Sequence, residues 1–259
     1  MGAPADAGSV YTPYGLPPYF YLWVLAVKTP LVVLLAIVVG AFLLLREPNT
    51  MASIFFRTMV LLYLLGLSVM GGKWIRYAVS LLPFVYLAAG YAYEKLYGWF
   101  RRRERAPLKQ PAFALLSLVL FAWPLAETLM WSPYYQLYLN QLGGGRAKAA
   151  RYFPHDEVYD LNARQEVEAA CQGAAPGATL AVSNPMSAAY YAARIGRPDI
   201  RVVPLYDLSY IPRPGDLIVL QDSRRYFETE DLYYLVARHG RALRELSVNG
   251  VMTSRICRF

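Results

Sequence analysis

Cysteine and histidine are almost missing from this sequence, with two of each: Cys171, Cys257, His155 and His239. No CxxC pair and no Cys/His cluster has the spacing of a structural zinc site. The nucleotide-binding glycine loops, the nucleophile elbow and the HExxH zinc helix are absent too. Gly143-Gly144-Gly145-Arg146 does not make a phosphate loop, because no strand precedes it and no Lys-Ser/Thr pair closes it. No cofactor is evident from motifs, and a need for a divalent metal is left open. Acidic residues are scarce in the first half. Residues 1–131 hold eleven Lys/Arg against five Asp/Glu, and residues 132–259 hold fifteen against thirteen. The net charge of +8 is therefore +6 in the first half and +2 in the second. A basic excess confined to an apolar half points to membrane topology. The nearly balanced second half gives no basic face for nucleic acid.

What is present is apolar sequence. Four stretches read as membrane spans of about 20 residues each: Tyr21 to Leu45, Ile54 to Met70, Ile75 to Tyr97 and Ala112 to Trp131. The second is short unless the stem of Arg57 snorkels. Pro83 and Pro124 fall inside the third and fourth and predict kinks. The strongest basic cluster, Arg101-Arg102-Arg103-Glu104-Arg105 with Lys109, reads as a cytoplasmic loop. The Gly71-Gly72-Lys73-Trp74 turn, residues 1–20 and everything after Trp131 then fall outside. Residues 1–20 lack a basic start followed by an apolar run, so they read as an extracytoplasmic loop. The chain is expected to be the C-terminal part of a longer polytopic protein, the alternative being an N-out start translocated without a signal.

After Trp131 the pattern turns α/β. Helices are predicted over Asp160 to Gln172, Ser187 to Ile195, and from a Thr229 cap to His239. Strands are predicted over Thr179 to Ser183, Arg201 to Leu205 and Leu217 to Gln221. A hairpin turning at Asn249-Gly250 pairs Leu243–Val248 with Val251–Phe259. The expected architecture is an α-helical transmembrane bundle of about four spans over residues 21–131. A linker over 132–159 leads to a small extracytoplasmic α/β domain with a mixed sheet over 160–259. Cys171 and Cys257 both fall in that domain. Two separate buried thiols are favoured over a bridge there, since a helix end and a terminal strand need not meet.

Charges inside apolar sequence are functional candidates, because insertion there costs about 2.5–3.5 kcal/mol each. Lys28, Lys73 and Arg76 fall at the outer ends of spans, and Glu127 lies about one turn before the outer end of the fourth. Three cations at that level suit a phosphate, with Arg76 offering a planar fork and Lys28 a point charge. Snorkelling anchors are the competing explanation, about equally good for Lys73. Tyr19, Tyr21, Trp23, Trp74, Tyr77, Trp131, Tyr134, Tyr135 and Tyr138 read as an interfacial aromatic belt.

Lys28-Thr29-Pro30 after its aromatic approach, Lys73-Trp74-Ile75-Arg76-Tyr77 with Pro83, and Ser132-Pro133-Tyr134-Tyr135-Gln136-Leu137-Tyr138-Leu139-Asn140 before Gly143-Gly144 are collinear motifs. With the stretch Tyr152 to Asp160, they resemble bacterial membrane glycosyltransferases of the GT-C architecture. These are related to the dolichyl-phosphate-mannose–protein mannosyltransferases and the aminoarabinose lipid A transferase. The resemblance implies transfer of a sugar from a polyprenyl-phosphate donor to an acceptor glycan, lipid or protein on the outer side of a bacterial plasma membrane. Its motifs include Lys28, Lys73 and Arg76, which adds to their reading as donor phosphate-binding residues, with Tyr77 and Glu127 as candidate support, but it does not assign their roles. The family's acidic first outer loop, which carries its catalytic base, has no counterpart here. Asp6 is the only acid in the N-terminal stretch. The catalytic residue is therefore unassigned. A membrane-anchored, non-catalytic binding or accessory module of the cell envelope is the alternative.

Overall fold

The computed structural model describes residues 16–70, 73–102, 109–153, 157–158, 160–207, 209–221 and 230–259. Asp6, the Gly71-Gly72 turn, Arg103 to Arg105, His155 and the Thr229 cap lie outside the described residues. The chain divides into two compact units, Met1–Ala149 and Ala150–Phe259. Residues 132–149, read as part of a linker, thus belong to the first unit.

The first unit is helical: α1 (Phe20–Lys28), α2 (Leu31–Arg46), α3 (Met51–Val69), α4 (Leu82–Arg101) and α5 (Lys109–Trp131). This corrects the four-span bundle. Among the described residues only Gln110–Trp131, 22 residues long, is long and apolar enough to cross a membrane. The first expected span is cut at Thr29-Pro30, where proline cannot donate to the helix ladder. That leaves α2 with 16 residues, a rise of about 24 Å against a hydrocarbon core of about 30 Å. The second apolar stretch, Ser53–Val69, is also short. The third opens as a 3-10 turn, Ile75–Ser80, and its helix α4 ends in the polar run Tyr91-Ala92-Tyr93-Glu94-Lys95 onward. Pro83 does not kink α4 but sits in its first turn, where its missing N–H has no helical partner to lose. Pro124 does lie inside α5.

Arg57 does not snorkel. Its guanidinium donates to the carbonyls of Leu44, Leu45 and Glu47 at 2.9, 3.1 and 2.7 Å, and to Asn49 Oδ1 at 3.0 Å. Those carbonyls close α2, whose last turn has no further backbone N–H to bind. One arginine therefore seals the α2–α3 corner. Leu44, Phe56 and Ala88 make the buried contact of α2, α3 and α4. Gly40 lets α2 approach α4 closely: a Cβ there would lie 1.7 Å from the Ala88 carbonyl oxygen. Elsewhere these helices turn apolar side chains outward. Leu115, Leu118, Phe121, Leu125 and Leu129 of α5 are 60–67% exposed.

The second unit carries a five-stranded mixed sheet in the order β2-β1-β3-β5-β4. Its strands are β1 (Thr179–Val182), β2 (Arg201–Pro204), β3 (Leu217–Gln221), β4 (Arg241–Val248) and β5 (Val251–Arg258). β2, β1 and β3 are parallel, while β5 and β4 form an antiparallel hairpin in which β5 pairs antiparallel with β3. The strand β3 is buried along its whole length, Leu-Ile-Val-Leu-Gln. Its Leu217 and Val219 pack on one face with Val167 and Ala170 of α6 (Ala163–Cys171) and Ala188 and Ala192 of α7 (Pro185–Arg194). Its Ile218 and Leu220 pack on the other face with Val236 of α8 (Glu230–His239). A strand covered on both faces reads as a continuous apolar run. Asn249 and Gly250, both at positive φ, turn the β4–β5 hairpin.

Candidate functional site

The site grows from the broken helix at Lys28-Thr29-Pro30. Pro30 has no N–H, so the Ala26 carbonyl loses its helical donor. The Asn140 side chain replaces it: Nδ2 donates to Ala26 O at 2.6 Å and to Thr29 O at 2.7 Å. The Asn140 backbone N–H donates to Val27 O at 2.9 Å, and its Oδ1 accepts from Gly143 N at 3.1 Å. Asn140 is 1% exposed and Thr29 3%. One asparagine thus satisfies three carbonyls at the helix break and ties the two motifs of the sequence together. Gly143 fits closely here, since a Cβ would lie 3.2 Å from both the Leu139 and Val27 Cβ atoms.

Held by this clasp, Lys28 donates from Nζ to the Gln136 carbonyl at 2.7 Å. It stands at a cavity of about 720 Å³ whose wall includes Glu127, Tyr138, Tyr86, Tyr93 and Trp131. Glu127 is 5% exposed. Tyr138 Oη donates to its Oε2 at 2.6 Å, and Gln141 Nε2 donates to its Oε1 at 3.0 Å. Trp131 meets Tyr138 edge-on at 5.6 Å, and the Arg146 guanidinium lies 5.5 Å over the Trp131 ring. Phe121, also on the wall, is 65% exposed and Tyr86 44%. The cavity therefore opens sideways between α4 and α5, along the apolar surface. Tyr93 holds these two helices together through Ser117 at 3.1 Å and the Phe113 ring at 5.5 Å.

Of the candidates from sequence, the cavity brings Lys28 and Glu127 together. Its wall does not include Lys73, Arg76 or Tyr77. Lys73, 8% exposed, is committed to the carbonyls of Met70 and Leu16 at 2.7 and 3.2 Å. Arg76 lies over the rings of Trp74 and Tyr77 at 4.8 and 5.6 Å. Trp131, Tyr135 and Tyr138, assigned to an aromatic belt by the sequence, line the cavity. Asn140 was read only as the last residue of the motif that starts at Ser132, and Gln141 was not singled out. Asn140 had one readable signal: a proline-broken helix needs a foreign donor for its last carbonyls.

In the second unit, Gln221 donates to both oxygens of Glu166 at 3.1 and 2.9 Å, and Asn162 donates to Thr253 Oγ1 at 2.8 Å. All four are buried. Cys171 and Cys257 are free and buried, and they belong to clusters on opposite faces of the sheet. Burial pushes both thiols up from their ordinary pKa, so neither is an activated nucleophile. Among the described residues no three His, Cys, Asp or Glu are grouped to hold a metal ion. No protein-family model, curated protein or solved structure matches the chain.

Proposed function

We propose that the chain works as part of a bacterial membrane glycosyltransferase that takes a sugar from a polyprenyl-phosphate donor. In this reading α5 crosses the plasma membrane and the α/β unit faces the extracytoplasmic side, where the acceptor glycan, lipid or protein is met. The carrying observation is one cavity that joins a half-buried lysine and a buried carboxylate to aromatic walls and opens along apolar helices. A donor of this class has matching parts: a phosphate, a polyhydroxyl group and a long apolar tail. Lys28 contacts the phosphate, neutralising it in the bound donor and stabilising it as the leaving group when the glycosidic bond breaks. The tail leaves past Phe121 and Tyr86 into lipid. Lys73 and Arg76 are not needed for that contact. Lys73 ties the end of α3 through the Met70 carbonyl, and Arg76 packs on its own aromatic neighbours.

Binding of radiolabelled decaprenyl phosphate to the full chain in detergent micelles tests this. Lys28→Ala is expected to weaken it at least tenfold, and equal binding by variant and wild type defeats the assignment. Sugar transfer by membranes carrying the chain, lost in Lys28→Ala, separates an enzyme from a module that only holds the donor.

A further inference from the structure

We infer that Glu127 reads the transferred sugar: its carboxylate accepts hydrogen bonds from hydroxyls of the sugar on a polyprenyl-phosphate donor. This role rests on the donor-site reading above. The case begins with cost. A carboxylate buried to 5% exposure is strongly disfavoured unless hydrogen bonds replace its water. No ion pair reaches Glu127 among the described residues. Two neutral donors, Tyr138 and Gln141, bind one oxygen each. A carboxylate has about four acceptor positions, so about two remain, on a residue that lines the cavity.

The chemistry of the occupant follows from its surroundings. A phosphate against Glu127 is repelled at close range, so the anionic end belongs at Lys28. The group that fits between is neutral and rich in O–H donors. Trp131 and Tyr135 line the same wall, and aromatic side chains of this kind offer apolar surface to the C–H face of a pyranose or furanose ring. Tyr138 acts as a positioning residue: its short bond to Oε2 fixes the carboxylate rotamer before the donor arrives. A site built to hydrogen-bond a hydroxyl rejects an analogue lacking it far more strongly than an apolar pocket rejects an added group. Glu127 is therefore where this chain distinguishes a sugar-loaded carrier from the spent one.

The test uses the full chain in detergent micelles. The probes are decaprenyl phosphate and a panel of decaprenyl-phosphate sugars bearing glucose, mannose or arabinose. Wild type is expected to bind at least one sugar-bearing donor at least tenfold more tightly than bare decaprenyl phosphate. Glu127→Gln is expected to erase that preference, so that bare and sugar-bearing carriers bind this variant equally. Tyr138→Phe, which keeps the carboxylate and frees its rotamer, is expected to lose part of the preference, and it stands in if Glu127→Gln does not fold. Equal binding of bare and sugar-bearing carriers by wild type overturns the role of Glu127, as does a preference that survives Glu127→Gln. A wild type that fails to bind bare decaprenyl phosphate, or that binds it no better than Lys28→Ala, overturns the donor site itself.

Discussion

The two units place the same residue types in opposite ways. In α5, Leu115, Leu118 and Leu129 are more than 60% exposed. In the α/β unit, Leu180, Leu217, Ile218 and Leu220 are at most 1% exposed. Burying one such side chain is worth about 1.5–3 kcal/mol. The second unit gains this by folding, through a sheet covered on both faces. In the first unit they stay exposed, and under the proposed function lipid covers those of α5. Beside the small apolar contact of Leu44, Phe56 and Ala88, these helices are held by local devices: Arg57 on the end of α2, Asn140 on the end of α1, and a glycine where α2 meets α4. Buried backbone groups need hydrogen-bond partners, and in this unit the breaks after α1 and α2 are each matched by a specific side chain.

The sharpest break of that comparison is one charge placed in each unit. Ile218→Asp puts a carboxylate, without a partner, at a position 0% exposed at the centre of the sheet. It is expected to cost more than about 4 kcal/mol and to unfold the α/β unit. Leu118→Asp, at a position 62% exposed, is expected to leave unfolding in detergent within about 0.5 kcal/mol of wild type. In a membrane-insertion assay the same change should cost about 2.5–3.5 kcal/mol. Denaturant unfolding followed by near-UV circular dichroism reads the first pair, and glycosylation mapping of α5 reads the last. A Leu118→Asp protein that inserts as well as wild type removes the claim that this face meets lipid.

The α/β strands were legible because two-sided burial writes Leu-Ile-Val-Leu at 217–220 and an Asn-Gly turn writes its hairpin. Their limits agree with the sequence reading to within about two residues, which is how far the ends of such elements ordinarily fray. The helical unit was over-read. Hydropathy averages across Thr29-Pro30, so a 9-residue and a 16-residue helix looked like one span. It also averages across the 3-10 entry to α4. At the site, Lys28 and Glu127 stood out because charge in apolar sequence is rare. Tyr138 did not, because a tyrosine near a span end is commonly an interfacial residue. Its pairing with a carboxylate 11 residues earlier depends on the 3-10 turn Tyr135–Leu137. Lys73 and Arg76 stood out on the same ground, but Lys73 meets carbonyls and Arg76 meets rings, and neither lines this cavity.

Asn140→Ala sharpens the contrast within the helical unit. It removes donors to Ala26 O and Thr29 O and the acceptor for Gly143 N. Leaving one buried polar group unpaired costs about 1–3 kcal/mol, so a loss of roughly 3 kcal/mol in the first unit is expected. The transition of the α/β unit should not move. Because the clasp orients Lys28, decaprenyl phosphate affinity should fall together with stability, and Asn140→Asp, which keeps the acceptor but not the donors, should recover neither. Full affinity in Asn140→Ala separates the clasp from the site.

The smallest expected effect lies in the α/β unit and depends on pH. Asp199 accepts from Arg197 Nε at 2.9 Å and Nη2 at 3.0 Å, and from Gly177 N at 3.0 Å. The Arg197 hydrogen bonds, then that of Gly177, hold its carboxyl well below the usual carboxylate range. Arg197 in turn donates to the carbonyls of Cys171, Ala174 and Ala175, joining the end of α6 to the turn before β2. Because the folded pKa is depressed, the stabilisation is complete above the unfolded value of about 3.9 and is lost as pH falls from there toward the folded value. The pair is partly exposed, so solvent and salt screen it and the effect is modest. Thermal unfolding of the full chain checks the sign. Asp199→Asn is expected to melt lower than wild type at pH 6, with the gap narrowing as the pH is taken to 3, and with 1 M salt shrinking it at pH 6. A gap that is constant from pH 6 to pH 3 means that Asp199 holds this corner through geometry alone, without its charge.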